Sequence, residues 1–77
     1  MNTEAIKTAC EKVGGITAMA NHLGITVGAV HQWTKGIKRV PVERCIAIEV
    51  LTQGEVRVEQ LRPDIDVNDF RKLHQAA

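Results

Sequence analysis

Residues 20–35 read ANHLGITVGAVHQWTK. Gly28, His31, Gln32 and Lys35 fall at i, i+3, i+4 and i+7, so on a helix they form one polar stripe, while Val30 and Trp33 point the other way, toward a core. Ala20 is small enough to let two helices cross closely. Gly24 permits the positive φ of a tight turn, Ile25 plugs that turn into the core, and Thr26 is a natural N-cap. The spacing predicts a helix, a glycine turn, and a second helix over about 27–35 whose outward face is built from small or hydrogen-bonding residues.

Such a ridge has the shape and chemistry to enter a DNA major groove. The competing reading is an ordinary solvated helix face. Gly28 argues against it, because glycine inside a helix costs up to about 1 kcal/mol relative to alanine. A helix with only a structural task gains by replacing it. Trp33 reads the opposite way: its spacing from Val30 assigns it to the core rather than to stacking on a base.

Working outward, Ala5, Ile6, Ala9, Cys10 and Val13 repeat at helical spacing and predict a first helix over about 3–13, stopped by Gly14-Gly15. Thr17 is positioned to cap a second helix over about 18–23, with Met19, Ala20 and Leu23 facing inward. Gly36 ends the third helix, and Pro41 opens a fourth over about 42–53. That fourth helix is apolar on most sides (Cys45, Ile46, Ala47, Ile48, Val50, Leu51), so it needs cover from the C-terminal segment or from a second copy of the chain. Glu49 interrupts its apolar arc and calls for a partner if buried, with Arg62 or Arg39 as candidates. Beyond Gly54, Val56 and Val58 alternate with charged residues, which fits a short extended stretch at 56–58. Gln60-Leu61 fits one helical turn equally well. Asp66 is placed to cap a last short helix carrying Val67, Phe70 and Leu73.

The fold class expected is all-α: a small helix-turn-helix bundle of about five helices with an irregular C-terminal segment. At 77 residues the chain is a single domain (1–77), with its core over about 3–53 and a packing and dimerisation segment over 54–77. A domain this small gains from oligomerisation. Cys10 and Cys45 have no partner motif and sit in apolar contexts, so reduced core thiols are expected rather than a disulfide or zinc site. With no signal-like start and no long apolar run, the expected location is cytoplasmic, away from membranes.

Net charge is only +1, but it is distributed unevenly. No acid stands between Glu11 and Glu43, a stretch that holds Lys12, Lys35, Lys38, Arg39 and two histidines. From Glu43 onward, seven acids face five bases. The acid-free region coincides with the candidate recognition helix, so the local field suits a polyanion despite the near-neutral total.

Ala20, Gly24, Val30 and Trp33 together resemble the helix-turn-helix signature of the phage repressor and Cro family, with its lambda-repressor-like DNA-binding domain. The likeness is closer to the small prophage branch of Cro-like and YdaS-like regulators. Three stretches carry it: GITVGAVHQW (24–33), VPVERCIAIE (40–49) and LRPDI (61–65). In one respect the chain departs from the pattern. Many members begin the second helix with Gln, which bonds a backbone phosphate, and here Ile16-Thr17 stands in that place. The resemblance implies a homodimer that binds operator DNA and controls transcription. YdaS-type proteins have also been described as antitoxins.

With the third helix in the major groove, Gln32 can bond adenine in a bidentate way and His31 can donate to guanine. Gly28 lets the backbone approach closely, and Thr26 and Val27 offer methyl groups to thymine. Lys35, Lys38, Arg39 and Thr17 are suited to the DNA backbone. The candidate dimer interface is Val50, Leu51, Val56, Val58, Ile65 and Phe70. A short helix-turn-helix reads few base pairs, so the expected partner is double-stranded DNA with a pseudo-palindromic operator.

No catalytic grouping, glycine-rich phosphate loop or evident carboxylate pair appears, so the chain is not expected to be an enzyme. No cofactor, metal site or small-molecule substrate is expected. The alternative function is a protein-interaction module, such as a YdaS-type antitoxin or an antirepressor, using the apolar fourth helix and the C-terminal segment on a protein partner. The acid-free stretch favours DNA, since a protein binder has no need to clear acids from around the third helix.

Overall fold

In the computed structural model, which describes residues 3–65, the chain folds into five helices and, among the described residues, no strand. They are α1 (Glu4–Val13), α2 (Ile16–Leu23), α3 (Val27–Thr34), α4 (Val42–Leu51) and α5 (Val58–Leu61). The expected all-α bundle is what forms. The fifth described helix is the turn at 58–61, so the extended alternative at 56–58 gives way to a helical one. The helix expected from Asp66 lies outside the described residues.

Helices α1, α2 and α3 pack against one another, and α5 packs against both α4 and α1. Their shared core is continuous: Ile6, Ala9 and Cys10 of α1 meet Met19 and Ala20 of α2, Val30 and Trp33 of α3, and Cys45 and Ile48 of α4. Val56, Val58 and Leu61 belong to the same core, so the packed unit runs past residue 53 and includes the segment after Gly54. That segment is what covers the inner side of α4.

Three local details depart from the sequence reading. Thr17 does not cap α2. The helix begins at Ile16, two residues before the expected start at 18, with Gly15 as its N-cap. The chain turns through Gly14 and Gly15, both at positive φ, and the Gly15 carbonyl already accepts from Met19 N–H. Two glycines end α1 and start α2 with no linker between. Second, α4 stops at Leu51, since Gln53 and Gly54 both turn left-handed (φ 55° and 81°).

The third concerns Glu49. Arg39 and Arg62 both bond Asp64, while Glu49 Oε1 accepts from the backbone N–H of Val58 at 3.0 Å. The carboxylate lies at the N-terminus of α5, where exposed amides and the helix dipole favour an anion. Gln60 closes the same turn by accepting from Arg57 N–H at 2.8 Å.

Cys10 and Cys45 are free and buried. Burial pushes the Cys45 thiol up to about 11 and raises Cys10 as well, so both behave as apolar core groups rather than nucleophiles.

Candidate nucleic-acid interface

Helix α3 owes its position to both of its ends and to its inner face. At the start, Thr26 is extended and its hydroxyl accepts from Ala29 N–H at 3.2 Å. Just before it, Gly24 caps α2 in the left-handed conformation and Ile25 packs against the core. At the far end, Gly36 turns left-handed (φ 75°), and the Gln32 carbonyl accepts from Ile37 N–H at 2.9 Å. Between these stops Val30 and Trp33 are buried. The opposite face is thereby fixed toward solvent.

On that outer face Thr26, Val27, Gly28, His31 and Lys35 are exposed, and Gln32 is half-buried. The stripe read from the sequence is therefore one continuous surface. Gly28 lies in regular helix, and a Cβ placed there would meet only Thr26 Oγ1 at 3.9 Å. Nothing among the described residues requires a glycine at that position.

Val27 and Ile37 are exposed large apolar residues at the two ends of the stripe. Sequence reasoning passed over Ile37, since one apolar residue in a short loop carries no periodic signal.

The backbone-contact candidates fall into two groups. Lys35 and Lys38 are exposed and make no ion pair among the described residues. Thr17 is exposed in the first turn of α2. Arg39 is exposed too, but its Nη1 donates to Asp64 Oδ2 at 3.0 Å. Lys12, which is outside that set, is paired with Glu55 at 2.8 Å.

The dimer candidates divide in the same way. Val56 and Val58 are buried within this chain's own core and have almost no surface left for a partner. Leu51 and Ile65 are half-buried, and Val50 is 71% exposed. Phe70 lies outside the described residues.

Two arginines that the sequence did not single out for this task brace the unit. Arg44 of α4 donates to the Leu23 carbonyl at the end of α2 (3.1 Å), and Arg62 donates to the Val40 carbonyl (3.0 Å) in the segment leading from α3 to α4. Such side chain-to-carbonyl bonds between distant residues leave no periodic trace in a sequence.

The profile of the family described as "Bacterial toxin YdaS" matches residues 6–70, from α1 through the whole stripe and beyond α5. The chain belongs to the YdaS family. A relative from Escherichia coli (strain K12), whose name reads "Putative transcriptional regulator YdaS", is 52% identical over 68 residues. The match covers 88% of this chain and 69% of that protein. No solved structure matches the chain. The family is described as a toxin and this relative is named as a regulator, and the stripe on α3 bears on the choice between them.

No helix among the described residues is long and apolar enough to cross a membrane. Among the same residues, no group of three or more His, Cys, Asp or Glu side chains could hold a metal ion.

Proposed function

We propose that this protein is a sequence-specific double-stranded DNA-binding regulator of transcription, acting as a homodimer with α3 in the major groove. The observation that carries the reading is Gly28. A helix keeps a destabilising glycine in its first turn, on an exposed, acid-free ridge, where nothing among the described residues demands one. Close approach of the α3 backbone to a ligand accounts for it, and a DNA groove is the ligand whose shape and charge fit the ridge. The regulator name carried by the relative agrees with this reading.

On this reading His31 and Gln32 address base edges, with Thr26 and Val27 beside them. Lys35 and Lys38 bind phosphates and set register. Val50, Leu51 and Ile65, with Phe70, offer the surface for the second copy, which places two recognition helices about one turn of DNA apart. The operator is then pseudo-palindromic.

Selection of bound duplexes from a random library tests this, followed by the salt dependence of affinity for the winner. A recovered pseudo-palindrome whose binding collapses with Gln32→Ala and Lys35→Ala supports it. Failure to enrich any sequence, or indifference to those substitutions, removes α3 as the reading face.

A second reading rests on the toxin description of the family and on the exposed outer side of α4: a module that engages a protein partner through Val50 and its neighbours. It leaves the ridge on α3 without a task. Substitution at Val50 that abolished activity in cells while Gln32→Ala and Lys35→Ala did nothing would favour it.

A further inference from the structure

Asp64 receives two arginines of unequal standing. Arg62 holds it in a fork, Nε to Oδ1 at 2.9 Å and Nη2 to Oδ2 at 2.9 Å, while its remaining Nη1 bonds the Val40 carbonyl at 3.0 Å. The Arg62 side chain is only 17% exposed and is committed to the fold. Arg39 reaches the same Oδ2 at 3.0 Å with one nitrogen, and its side chain is 58% exposed. The carboxylate already has a complete two-point partner in Arg62 and does not depend on Arg39 to stay charged or in place. The bond from Arg39 is a single exposed contact of the kind that exchanges at little cost.

Arg39 lies between α3 and α4, in the acid-free stretch that carries Lys35 and Lys38. A carboxylate and a phosphodiester are alike as singly charged oxygen acceptors for a guanidinium N–H. We propose that Asp64 is an internal substitute for a DNA phosphate at Arg39, so that Arg39 is held by the C-terminal segment in the free protein and passes to the DNA backbone on binding. The inference rests on the reading of α3 as the DNA-facing helix. It makes the contribution of Arg39 conditional: DNA displaces a carboxylate before this cation adds to affinity. Lys35 and Lys38, with no ion pair among the described residues, face no such competition from them.

The test uses the full chain, as wild type and as Asp64→Asn, Arg39→Ala and the double variant. Affinity for one fixed duplex is measured over a range of salt. Asp64→Asn is expected to tighten binding roughly threefold to tenfold and to steepen the salt dependence by about one released counterion. Arg39→Ala is expected to weaken binding more in the Asp64→Asn background than in the wild type.

Tightening that persists when Arg39→Ala is also present would make Asp64 a general repulsive charge and overturn the exchange. Weakening by Asp64→Asn would mean that the carboxylate aims Arg39 at DNA, which also overturns it. If Asp64→Asn fails to fold, the Asp64 carboxyl carbon shift is followed in the wild-type protein during titration with duplex. It should move as Arg39 departs, and an unchanged shift at saturation refutes the exchange. Gln32→Ala with Lys35→Ala, run alongside, fails separately: binding indifferent to that pair removes the α3 reading, whatever Asp64 does.

Discussion

Arg44 Nη1 donates to the carbonyl oxygen of Leu23 at 3.1 Å, which ties the middle of the fold to the turn that aims α3. Leu23 is the last residue of α2, and its carbonyl is among those a helix cannot satisfy for itself. A guanidinium there meets the negative end of the helix dipole as well as an orphan acceptor. The angle between α2 and α3 is thus held from outside the two helices. Arg44→Ala is expected to lower stability by about 1–3 kcal/mol, read from urea unfolding, and to weaken DNA binding beyond the loss of one charge. Arg44→Lys should recover part of both. A fully stable alanine variant would show that the turn holds its angle without this bond.

Thr52 is the only buried polar residue among the described residues. Its hydroxyl donates to the Ile48 carbonyl at 2.9 Å and accepts from Val56 N–H at 3.1 Å, joining the end of α4 to the strap that follows. Valine has the same shape without the acceptor, so Thr52→Val strands a buried N–H. The expected loss is about 1–3 kcal/mol, while Thr52→Ser should retain more of the bond. Equal stability of the valine and serine variants in denaturant would show that the hydroxyl matters little.

Much of this architecture was legible because it is periodic. The spacing of Val30 and Trp33 placed α3 and its outer stripe, and the glycines at 24 and 36 placed its ends. What escaped was aperiodic or left open by local preference. Thr17 looked like a cap because threonine usually is one, yet Gly14-Gly15 leaves so little linker that α2 starts before it. The alternation of Val56 and Val58 fits a strand, and Gln60-Leu61 fits a helical turn equally well. The choice fell to Glu49, nine residues before Val58, which supplies an acceptor at the start of α5. Arg39 was legible as a surface cation but its partner was not, since Asp64 stands 25 residues away.

The Arg62 hydrogen bond, with smaller help from neighbouring charges, holds the Asp64 carboxyl down to about 2 from an ordinary 3.8. A folded-state value below the unfolded one stabilises the protein above pH 3.8, and that stability is lost as pH falls toward 2. Asp64→Asn has no such group to titrate. Unfolding midpoints of the two proteins, compared from pH 5 down to 2, should therefore converge as the pH drops. Parallel curves would show that this carboxylate contributes nothing specific to acid stability.

Gly28 separates stability from recognition. Alanine there meets only Thr26 Oγ1 at 3.9 Å, an ordinary contact, and removes the conformational cost of glycine in a helix. Gly28→Ala is expected to raise stability by about 0.5–1 kcal/mol. The same methyl group stands on the ridge proposed to enter the groove, so binding to the selected operator should weaken. A variant both more stable and equally tight on DNA would leave this glycine without a functional explanation.

Val50 offers the corresponding test of the second copy. At 71% exposure on α4 it contributes little to its own chain, so Val50→Asp, which meets the negative end of the helix dipole, should lower the stability of an isolated protomer by no more than about 1 kcal/mol. In a dimer that buries this face, each aspartate would be desolvated without an opposite charge to pair it. Sedimentation should then report a monomer at concentrations where the wild type associates. Affinity for a full operator should fall toward that for a single half-site, because the second half-site no longer binds as part of the same molecule. Unchanged association would move the interface off α4 and onto the surface around Ile65.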